Sequence, residues 1–255
     1  SRLITQLQKQ QAYLQQHLRL QIRVVGMGNS RHMLFSDKGI PLDKWKELLA
    51  EGDEMDLNRF IGIIREKNMR NAVFADITAN REIAMRYDDL LRKSISVVAC
   101  NKVACSSSYK YYRELKDLAR EFNSSFLFET NVGAGLPVIG TLNDLLRSGD
   151  KINKIEAVLS GTLNFVFNNY NGEKTFAEVV RQAQEEGYTE PDPRLDLGGT
   201  DVMRKIMILA RETGASLEME DIANHSFMPS SCMEGDVVHF YEEMARCEDH
   251  FRQLY

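Results

Sequence analysis

The alternation of short apolar runs with segments of helical periodicity is the feature that most limits how this chain can fold. Short apolar runs at residues 20–28, 72–78, 95–100 and 126–129 alternate with segments of helical periodicity. Strands that alternate with helices are typical of a parallel sheet with helices on both faces. The pattern therefore predicts an α/β fold with a Rossmann-like parallel sheet in the first half of the chain.

Polar residues follow three of these predicted strands at the point where each strand ends. Ser30 and Arg31 follow the first strand, Thr78 the second and Lys102 the third. Open parallel sheets bind ligands at the carboxyl ends of their strands, so these residues and Gly28 form a candidate nucleotide site. The glycine-rich turn that usually opens such a domain is absent from the sequence. We therefore expect that the usual first strand of the domain is missing and that residues 20–28 correspond to its second strand.

The pattern changes near residue 130. A loop of small residues at 130–137 opens a helix, residues 152–160 predict a strand, and residues 175–186 predict an amphipathic helix. We therefore predict two domains, over residues 1–130 and 131–255, the second of mixed α/β type. The loop could bind an anion through its N–H groups or a cation through its carbonyls, or it could be a close-packed turn.

Residues 187–205 combine an acidic loop with the beginning of a helix. Four carboxylates lie between prolines and glycines, and a lysine follows one helical turn later: Glu190, Asp192, Asp196, Asp201 and Lys205. Asp201 and Lys205 share one helix face, and Thr200 is the predicted N-cap. Most such pairs are solvated and contribute little. Apolar residues around this helix predict burial, so Lys205 is a candidate for proton transfer to a polar substrate.

Charge and composition exclude several classes of protein. The net charge is −5 without long charged runs, so neither nucleic acid nor an anionic membrane is an expected partner. No apolar run is long enough to span a membrane. The four cysteines and five histidines lack metal-binding spacing, which predicts reduced thiols in a cytoplasmic protein. Both ends lie within helical patterns, so we expect a chain cut from a longer one.

Four motifs, in order along the chain, resemble those of homoserine dehydrogenases, and most closely the dehydrogenase half of bifunctional aspartokinase–homoserine dehydrogenases. They lie at residues 101–104, 129–137, 160–164 and 187–205. Members of that family reduce L-aspartate 4-semialdehyde to L-homoserine with NADPH or NADH, on the route to threonine, isoleucine and methionine. The resemblance covers essentially the whole chain. It implies a small-molecule substrate, and the second domain is expected to form a homodimer or a higher homo-oligomer.

The resemblance also assigns roles to individual residues. It implies that Lys205 exchanges a proton with the substrate oxygen and that Lys102 lies near the nicotinamide and the substrate. It assigns substrate binding to Glu190, Asp201 and Asp196. The implied cofactor contacts are Gly28, Ser30, Arg31, Thr78, Lys102 and Gly187. The implied Na⁺ site consists of Glu129 with the carbonyls of Val132, Ala134 and Leu136.

Two features leave alternatives open. Leu195 stands where the family usually has a second acid, and a C-terminal segment beyond residue 255 is expected to be missing. A basic Arg31 after the second strand of such a domain favours NADP over NAD. One alternative is another two-domain dehydrogenase that acts on a different amino-acid aldehyde or keto acid. The other is a catalytically silent dehydrogenase-like module that serves dimerisation or regulation of a fused aspartokinase.

Overall fold

The computed structural model describes residues 1–254. Its strands are β1 (Gly26–Gly28), β2 (His32–Phe35), β3 (Asp53–Glu54), β4 (Val73–Asp76), β5 (Ser96–Ala99) and β6 (Phe126–Leu127). Its helices are α1 (Arg2–Leu18), α2 (Trp45–Ala50), α3 (Leu57–Lys67), α4 (Arg81–Ala84), α5 (Tyr87–Leu91), α6 (Val103–Ser106), α7 (Tyr109–Glu121), α8 (Val138–Arg147), α9 (Gly161–Asn169), α10 (Phe176–Glu185), α11 (Arg194–Leu197), α12 (Thr200–Glu212), α13 (Val237–Arg246) and α14 (Glu248–Arg252).

A parallel sheet in the order β4-β5-β6 confirms the α/β prediction. Asp76 pairs with Ala99, so β4 and β5 end at the same level. Helices α5 and α7 cover one face of the sheet. On the opposite face Val73, Val98 and Leu127 are exposed by 60%, 40% and 56%. Helices were expected on both faces of the sheet. Among residues 1–254, they cover these strands on one face.

The prediction of a parallel strand over residues 20–28 is wrong. Only Gly26–Gly28 is a strand, and it pairs antiparallel with β2 in a separate sheet of order β1-β2-β3. The reason is a tight turn, because the Asn29 side-chain oxygen accepts hydrogen bonds from the backbone N–H groups of Arg31 and His32. This Asx turn brings the next segment back beside β1 as its nearest backbone partner.

The predicted strand at residues 152–160 is also wrong, and the described residues after β6 form helices and loops. A strand needs the backbone groups of a neighbouring strand, and none of the described strands pairs with this segment. Ile152, Ile155 and Leu159 instead pack against the core, while Val158 is 79% exposed. We call residues 151–160 the connecting segment.

Two hydrophobic clusters form the core. The first surrounds the parallel sheet and includes Ile139 and Leu142 of α8 and Ile208 and Leu209 of α12. The second is formed by α9, α10, α13 and α14, with Phe176 stacked on Phe251 at a ring separation of 4.2 Å. Helix α12 therefore packs against the sheet of the first half although it lies late in the chain. Among residues 1–254, no helix is both long and apolar enough to cross a bilayer.

Helix α12 differs in two ways from its prediction. Its N-cap is Gly199, with a φ of +81°, and Thr200 is the first helical residue. The φ value explains the difference, since glycine adopts this conformation without the cost that a side chain brings. Burial is concentrated in the C-terminal half, from Met207 to Glu212, whereas Arg204 is exposed. The N-terminal half is therefore the more accessible part of the helix.

Two segments with helical periodicity form shorter helices than that periodicity suggests. Residues 80–92 are divided into α4 and α5, and within residues 41–50 the helix begins only at Trp45. Thr175 begins α10 with a capping box, in which its hydroxyl and the Glu178 carboxylate bind each other's backbone N–H groups.

Candidate active site

Two lysines from distant parts of the chain meet at one carboxylate. Lys205 and Asp201 are one turn apart on α12, and the Lys205 Nζ lies 2.7 Å from the Asp201 Oδ2. Lys102 directly precedes α6, and its Nζ lies 3.4 Å from the Asp201 Oδ1. The Lys205 side chain is 17% exposed and Asp201 is 40% exposed. The predicted pair of Asp201 and Lys205 is thus extended by Lys102 to a cluster of three residues, which is partly exposed to solvent. We call it the lysine cluster.

The two ammonium groups determine the charge state of Asp201. Partial burial by itself raises the pKa of this carboxyl, but the hydrogen bond from Lys205 and the positive charge of Lys102 outweigh that effect. The pKa of Asp201 therefore lies below its usual value, and the carboxylate stays ionised at neutral pH. The cluster carries a net positive charge beside an acidic loop.

A buried polar network holds Lys102 at the end of β5. The Asp76 carboxylate at the end of β4 accepts hydrogen bonds from the Tyr87 hydroxyl at 2.5 Å and from the Asn101 amide at 3.0 Å. It also accepts from the backbone N–H of Thr78 at 2.8 Å. The Asn101 oxygen accepts from Val103 at the beginning of α6. Asp76 thereby joins the two strand ends that carry Thr78 and Lys102.

The connecting segment brings a backbone carbonyl to Lys205. The Lys205 Nζ donates to the Leu159 carbonyl at 2.6 Å. Directly afterwards, the Ser160 hydroxyl caps α9 by accepting from the Leu163 N–H. The chain at residues 159–162 therefore lies beside the lysine cluster, although it is not a strand.

Thr162 links this segment to the acidic loop. Its buried hydroxyl contacts the Tyr188 carbonyl and lies 3.2 Å from the Asp196 Oδ1. The other oxygen of Asp196 accepts from the backbone N–H of Glu190 at 2.9 Å. Both oxygens of Asp196 therefore shape the loop, while Glu190 itself is exposed. Thr162 lies within the motif at residues 160–164, but the sequence assigned no role to this residue.

Asp192 has a separate, structural partner. Its carboxylate binds the Arg194 guanidinium, with the Nη2 at 2.6 Å from the Oδ2. The hydrogen bonds from Arg194 lower the pKa of Asp192. Arg194 also donates to the Gly235 carbonyl at 2.7 Å. This pair fastens the acidic loop to the segment before α13.

The residues that the resemblance assigns to a cofactor lie in three places. Thr78 is exposed after β4, and its hydroxyl accepts from the Asn80 N–H. Gly187 is exposed after α10 with a φ of +78°. Gly28, Ser30 and Arg31 lie at the β1–β2 turn, and a surface cavity of about 500 Å³ is lined by Ser30, Arg31, His32, Gly52, Glu54 and Met55. Two of the three expected strand ends therefore share one sheet edge, whereas the third belongs to the antiparallel sheet.

The donor groups at these places suit an anionic nucleotide. Hydroxyl, guanidinium and ammonium groups are available at Ser30, Arg31, Thr78 and Lys102, and glycines provide close backbone approach at Gly28. The residues that are present thus fit a phosphate-bearing cofactor.

Glu129 has strong partners of its own. Its two carboxylate oxygens accept from the backbone N–H groups of Ile139 and Gly140, at 2.8 Å and 2.7 Å. A carboxylate is favourable there because these donors belong to the N-terminus of α8. Val132 is buried, Ala134 and Leu136 are exposed, and the Leu136 carbonyl accepts from Val138. The carboxylate therefore has a structural role, and within residues 1–254 no cluster of three His, Cys, Asp or Glu residues could hold a metal.

Known proteins resemble the chain in sequence and in structure. A bifunctional aspartokinase/homoserine dehydrogenase 2 of Arabidopsis thaliana is 47% identical over 229 residues, which are 89% of this chain and 25% of that protein. The chain therefore spans about a quarter of the length of this relative. A crystal structure of a Candida auris protein of unknown function covers 95% of this chain and 71% of its own, with a TM-score of 0.82 and 31% identity.

A hyperthermophilic archaeal homoserine dehydrogenase in complex with NADPH covers 79% of this chain and 64% of its own, with a TM-score of 0.64 and 27% identity. Two family models match in sequence: homoserine dehydrogenase, NAD binding domain, at residues 1–129, and homoserine dehydrogenase at residues 137–250. Lys102 lies within the first of these matches, and Asp201 and Lys205 lie within the second. On the basis of both matches, the chain belongs to the homoserine dehydrogenase family.

Proposed function

We propose that this chain forms the dehydrogenase part of an enzyme that reduces L-aspartate 4-semialdehyde to L-homoserine with NADPH or NADH. The observation that carries the proposal is the cluster of Lys102, Asp201 and Lys205, which joins an element of the nucleotide-binding half to an element of the other half. Such a site suits a reaction between a bound nucleotide and a small polar substrate.

Lys205 is proposed as the group that exchanges a proton with the substrate. A reduced nicotinamide, when bound, supplies a hydride to the aldehyde carbon. The oxygen on that carbon gains negative charge and requires a proton from a positioned acid. An ammonium has three N–H donors, of which two point to Asp201 and to the Leu159 carbonyl. The third remains for the substrate oxygen.

Lys102 is proposed to stabilise the same developing charge from the other side. Its ammonium shares the Asp201 carboxylate with Lys205, which orients both groups towards one place. Preorganised charges of this kind lower the barrier because they do not have to reorganise during the reaction.

The acidic loop is proposed to bind the amino group of the substrate. Glu190 is exposed and directly precedes the Pro191–Pro193 turn, so its carboxylate is available to an ammonium. Asp196 acts mainly by fixing the backbone of Glu190 and the Thr162 hydroxyl. Leu195 is 61% exposed, so the acid that the family usually has there would lie at the surface of this loop.

Several finer assignments accompany this function. The cavity at Arg31 would receive the adenosine end of the cofactor, and the guanidinium favours NADP through its 2′-phosphate. Gly28, Ser30, Thr78 and Gly187 would contact the remainder of the nucleotide. We also propose that Glu129, in addition to its structural role, binds Na⁺ together with the carbonyls of Val132, Ala134 and Leu136, because each carboxylate oxygen keeps a further lone pair beside the N–H group that it accepts.

The organisation of the whole protein is part of the same proposal. We infer nucleotide-binding and substrate domains that meet near residue 130, a homo-oligomer built through the second domain, and a reducing compartment such as the cytoplasm. Free cysteines at positions 100, 105, 232 and 247 support the last point. Cys100 is exposed, whereas Cys105 and Cys232 are buried.

The test is homoserine-dependent reduction of NADP⁺ and of NAD⁺ by the full-length protein and by this 255-residue chain, followed by the absorbance of the reduced nicotinamide. We expect activity in the full-length protein, with a preference for NADP⁺ that Arg31→Ala removes. Activity that is confined to the full-length protein would mean that segments outside this chain complete the site. A folded full-length protein without activity would contradict the proposal and favour the catalytically silent module.

A further inference from the structure

Arg211 is fully buried near the C-terminal end of α12, and the proposed reaction does not use it. Its side chain is 0% exposed. Burial lowers the pKa of its guanidinium, and the charge of Glu218 opposes that effect. A charged group in such a place requires hydrogen-bond partners for nearly all of its donors. The identity of those partners shows what the residue holds together.

The guanidinium binds two different parts of the chain. The Arg211 Nη1 donates to the carbonyls of Cys105 and Ser107, both at 2.8 Å. The Nε and Nη2 donate to the Leu217 carbonyl at 2.9 Å and 2.7 Å, and the Nη2 lies 3.0 Å from Glu218. The first pair of contacts joins α12 to the end of α6. The others fasten the loop that follows α12.

Only one helical turn separates these contacts from Lys102. Helix α6 has four residues, and Lys102 is its N-cap. The Lys102 carbonyl accepts from the N–H and the hydroxyl of Ser106, at 2.9 Å and 2.8 Å. The backbone of Lys102 is thus rigidly connected to the carbonyls that Arg211 binds.

Helices α6 and α12 are therefore joined at two places. At one end Lys102 reaches Asp201, and at the other Arg211 reaches the Cys105 and Ser107 carbonyls. The first contact is partly solvent-exposed and weak by itself. The second consists of two hydrogen bonds from a buried, charged donor, which makes it the stronger of the two contacts.

The neighbouring residue Glu212 anchors α12 elsewhere. Its buried carboxylate binds the Lys116 ammonium of α7 at 2.9 Å and the Asn143 amide of α8 at 2.8 Å. The Tyr112 hydroxyl also donates to it. None of these partners lies on α6, which makes Glu212 a matched comparison for Arg211.

We propose that Arg211 is a positioning residue, which holds α6 against α12 so that Lys102 stays within reach of Asp201. The catalytic consequence rests on the proposed dehydrogenase function, whereas the structural consequence at Lys102 does not. The two are therefore tested by separate measurements.

The structural measurement is the acetylation rate of Lys102 in the full-length protein, determined by peptide mass spectrometry relative to exposed Lys9. Arg211→Lys keeps the charge but loses the fork of donors. We expect Lys102 to react about threefold faster in this variant, because the partly exposed ion pair between Lys102 and Asp201 is lost and such pairs are weak. Glu212→Gln should leave the rate unchanged.

Circular dichroism and thermal unfolding establish that each variant is folded. If Arg211→Lys does not fold, Glu218→Gln replaces it, because this 46% exposed partner can be changed without opening the core. We expect a smaller increase in the same direction. An unchanged Lys102 rate in a folded variant, or an equal increase in Glu212→Gln, would overturn the proposal.

The kinetic measurement is a double-mutant cycle with Lys102→Ala. Arg211→Lys should lower kcat/KM for homoserine about tenfold when Lys102 is present, since small misplacements of reacting groups are costly. It should have no further effect in the Lys102→Ala background, because the two changes act through one contact. Additive effects would overturn the positioning role. An inactive unmodified protein would contradict the proposed function and leave the acetylation result to decide on Arg211.

Discussion

Asp201 divides its two oxygens between two lysines, and this arrangement separates the roles of the three residues. Lys205 has two acceptors within 2.7 Å and is held in one orientation. Lys102 has a looser contact at 3.4 Å. Of the two, Lys205 is therefore the better fixed, as expected for a group that exchanges a proton with a substrate.

Replacing Lys205 by alanine should lower kcat by about 10²- to 10⁴-fold, which is the usual contribution of a positioned acid or base. The affinity for NADP⁺ should change little, because Lys205 lies on α12 and not at the strand ends. Turnover measured under saturating homoserine, together with fluorescence titration of NADPH, tests both statements. Lys9→Ala, on exposed α1, is the control. A variant that keeps more than about a tenth of the native rate would exclude this role for Lys205.

The lowered pKa of Asp201 also predicts a dependence of stability on pH. The folded protein binds fewer protons at this group than the unfolded chain, so its contribution is present above the unfolded pKa of about 3.9 and is lost as the pH falls through the lower folded value. Solvent screening limits the effect to at most about 1 kcal/mol. Urea unfolding between about pH 5 and pH 2 should show a smaller loss of stability in Asp201→Asn than in the native protein. Equal losses in both would contradict the assignment.

The sequence predicted the types of residue in the site better than their contacts. Lys205 and Asp201 share a helix face by spacing alone, so their pairing was predictable. The contact of Lys102 with Asp201 joins residues 99 positions apart in the chain and depends on how α6 packs against α12. Asp196 was expected to line the substrate pocket, but its two hydrogen bonds to Thr162 and Glu190 became visible only in three dimensions.

At the scale of whole elements, the beginning of α12 depends on one backbone conformation. Gly199 has a φ of +81°, and a Cβ added there would lie 3.1 Å from the Asn224 side-chain oxygen. Asn224 donates to the Gly198 carbonyl at 3.0 Å and thereby holds the turn before the helix. Both features place the first turn of α12, which carries Asp201.

Gly199→Ala should destabilise the protein by about 1–3 kcal/mol through the strained backbone and should also impair catalysis. Gly214→Ala is the matched control, because Gly214 has a φ of +99° but open space around its Cβ position. It should show the backbone strain without the loss of activity. The measurements are urea unfolding and kcat/KM at a temperature where both variants are folded. Equal activity in the two variants would show that the turn does not position Asp201.

The errors at this scale concern backbone pairing. Apolar periodicity identified β4, β5, β6 and most helices, because burial determines them locally. It could not show that the Asn29 turn would direct β1 into an antiparallel pair. Nor could it show that residues 152–160 would find no strand beside them among residues 1–254. A strand needs a partner, which can come from any part of the chain, and an apolar run does not identify that partner.

At the scale of the whole molecule, the site lies where the two hydrophobic clusters meet. Helix α12 packs its Ile208 and Leu209 into the first cluster, whereas Leu197 of α11, just before it, belongs to the second. The acidic loop is attached to the second cluster through Arg194 and the segment before α13. The lysines are thus held mainly by one cluster and the acidic loop mainly by the other.

This division predicts that damage to each cluster affects different parts of the site. Phe176→Ala should destabilise the second cluster by about 3–5 kcal/mol, as is usual for a buried Phe that is truncated. Local opening in proteins follows such cooperative units, so amide hydrogen exchange should accelerate in α10, α13 and the acidic loop and change little in β4 and β5. Leu115→Ala in the first cluster should produce the opposite distribution, with a cost of about 2–5 kcal/mol.

Substrate affinity should weaken in Phe176→Ala because the loop with Glu190 loses its support. Uniform acceleration of exchange across both clusters in both variants would instead mean that the two clusters unfold as one unit and that α12 joins them too firmly for the loop to open separately.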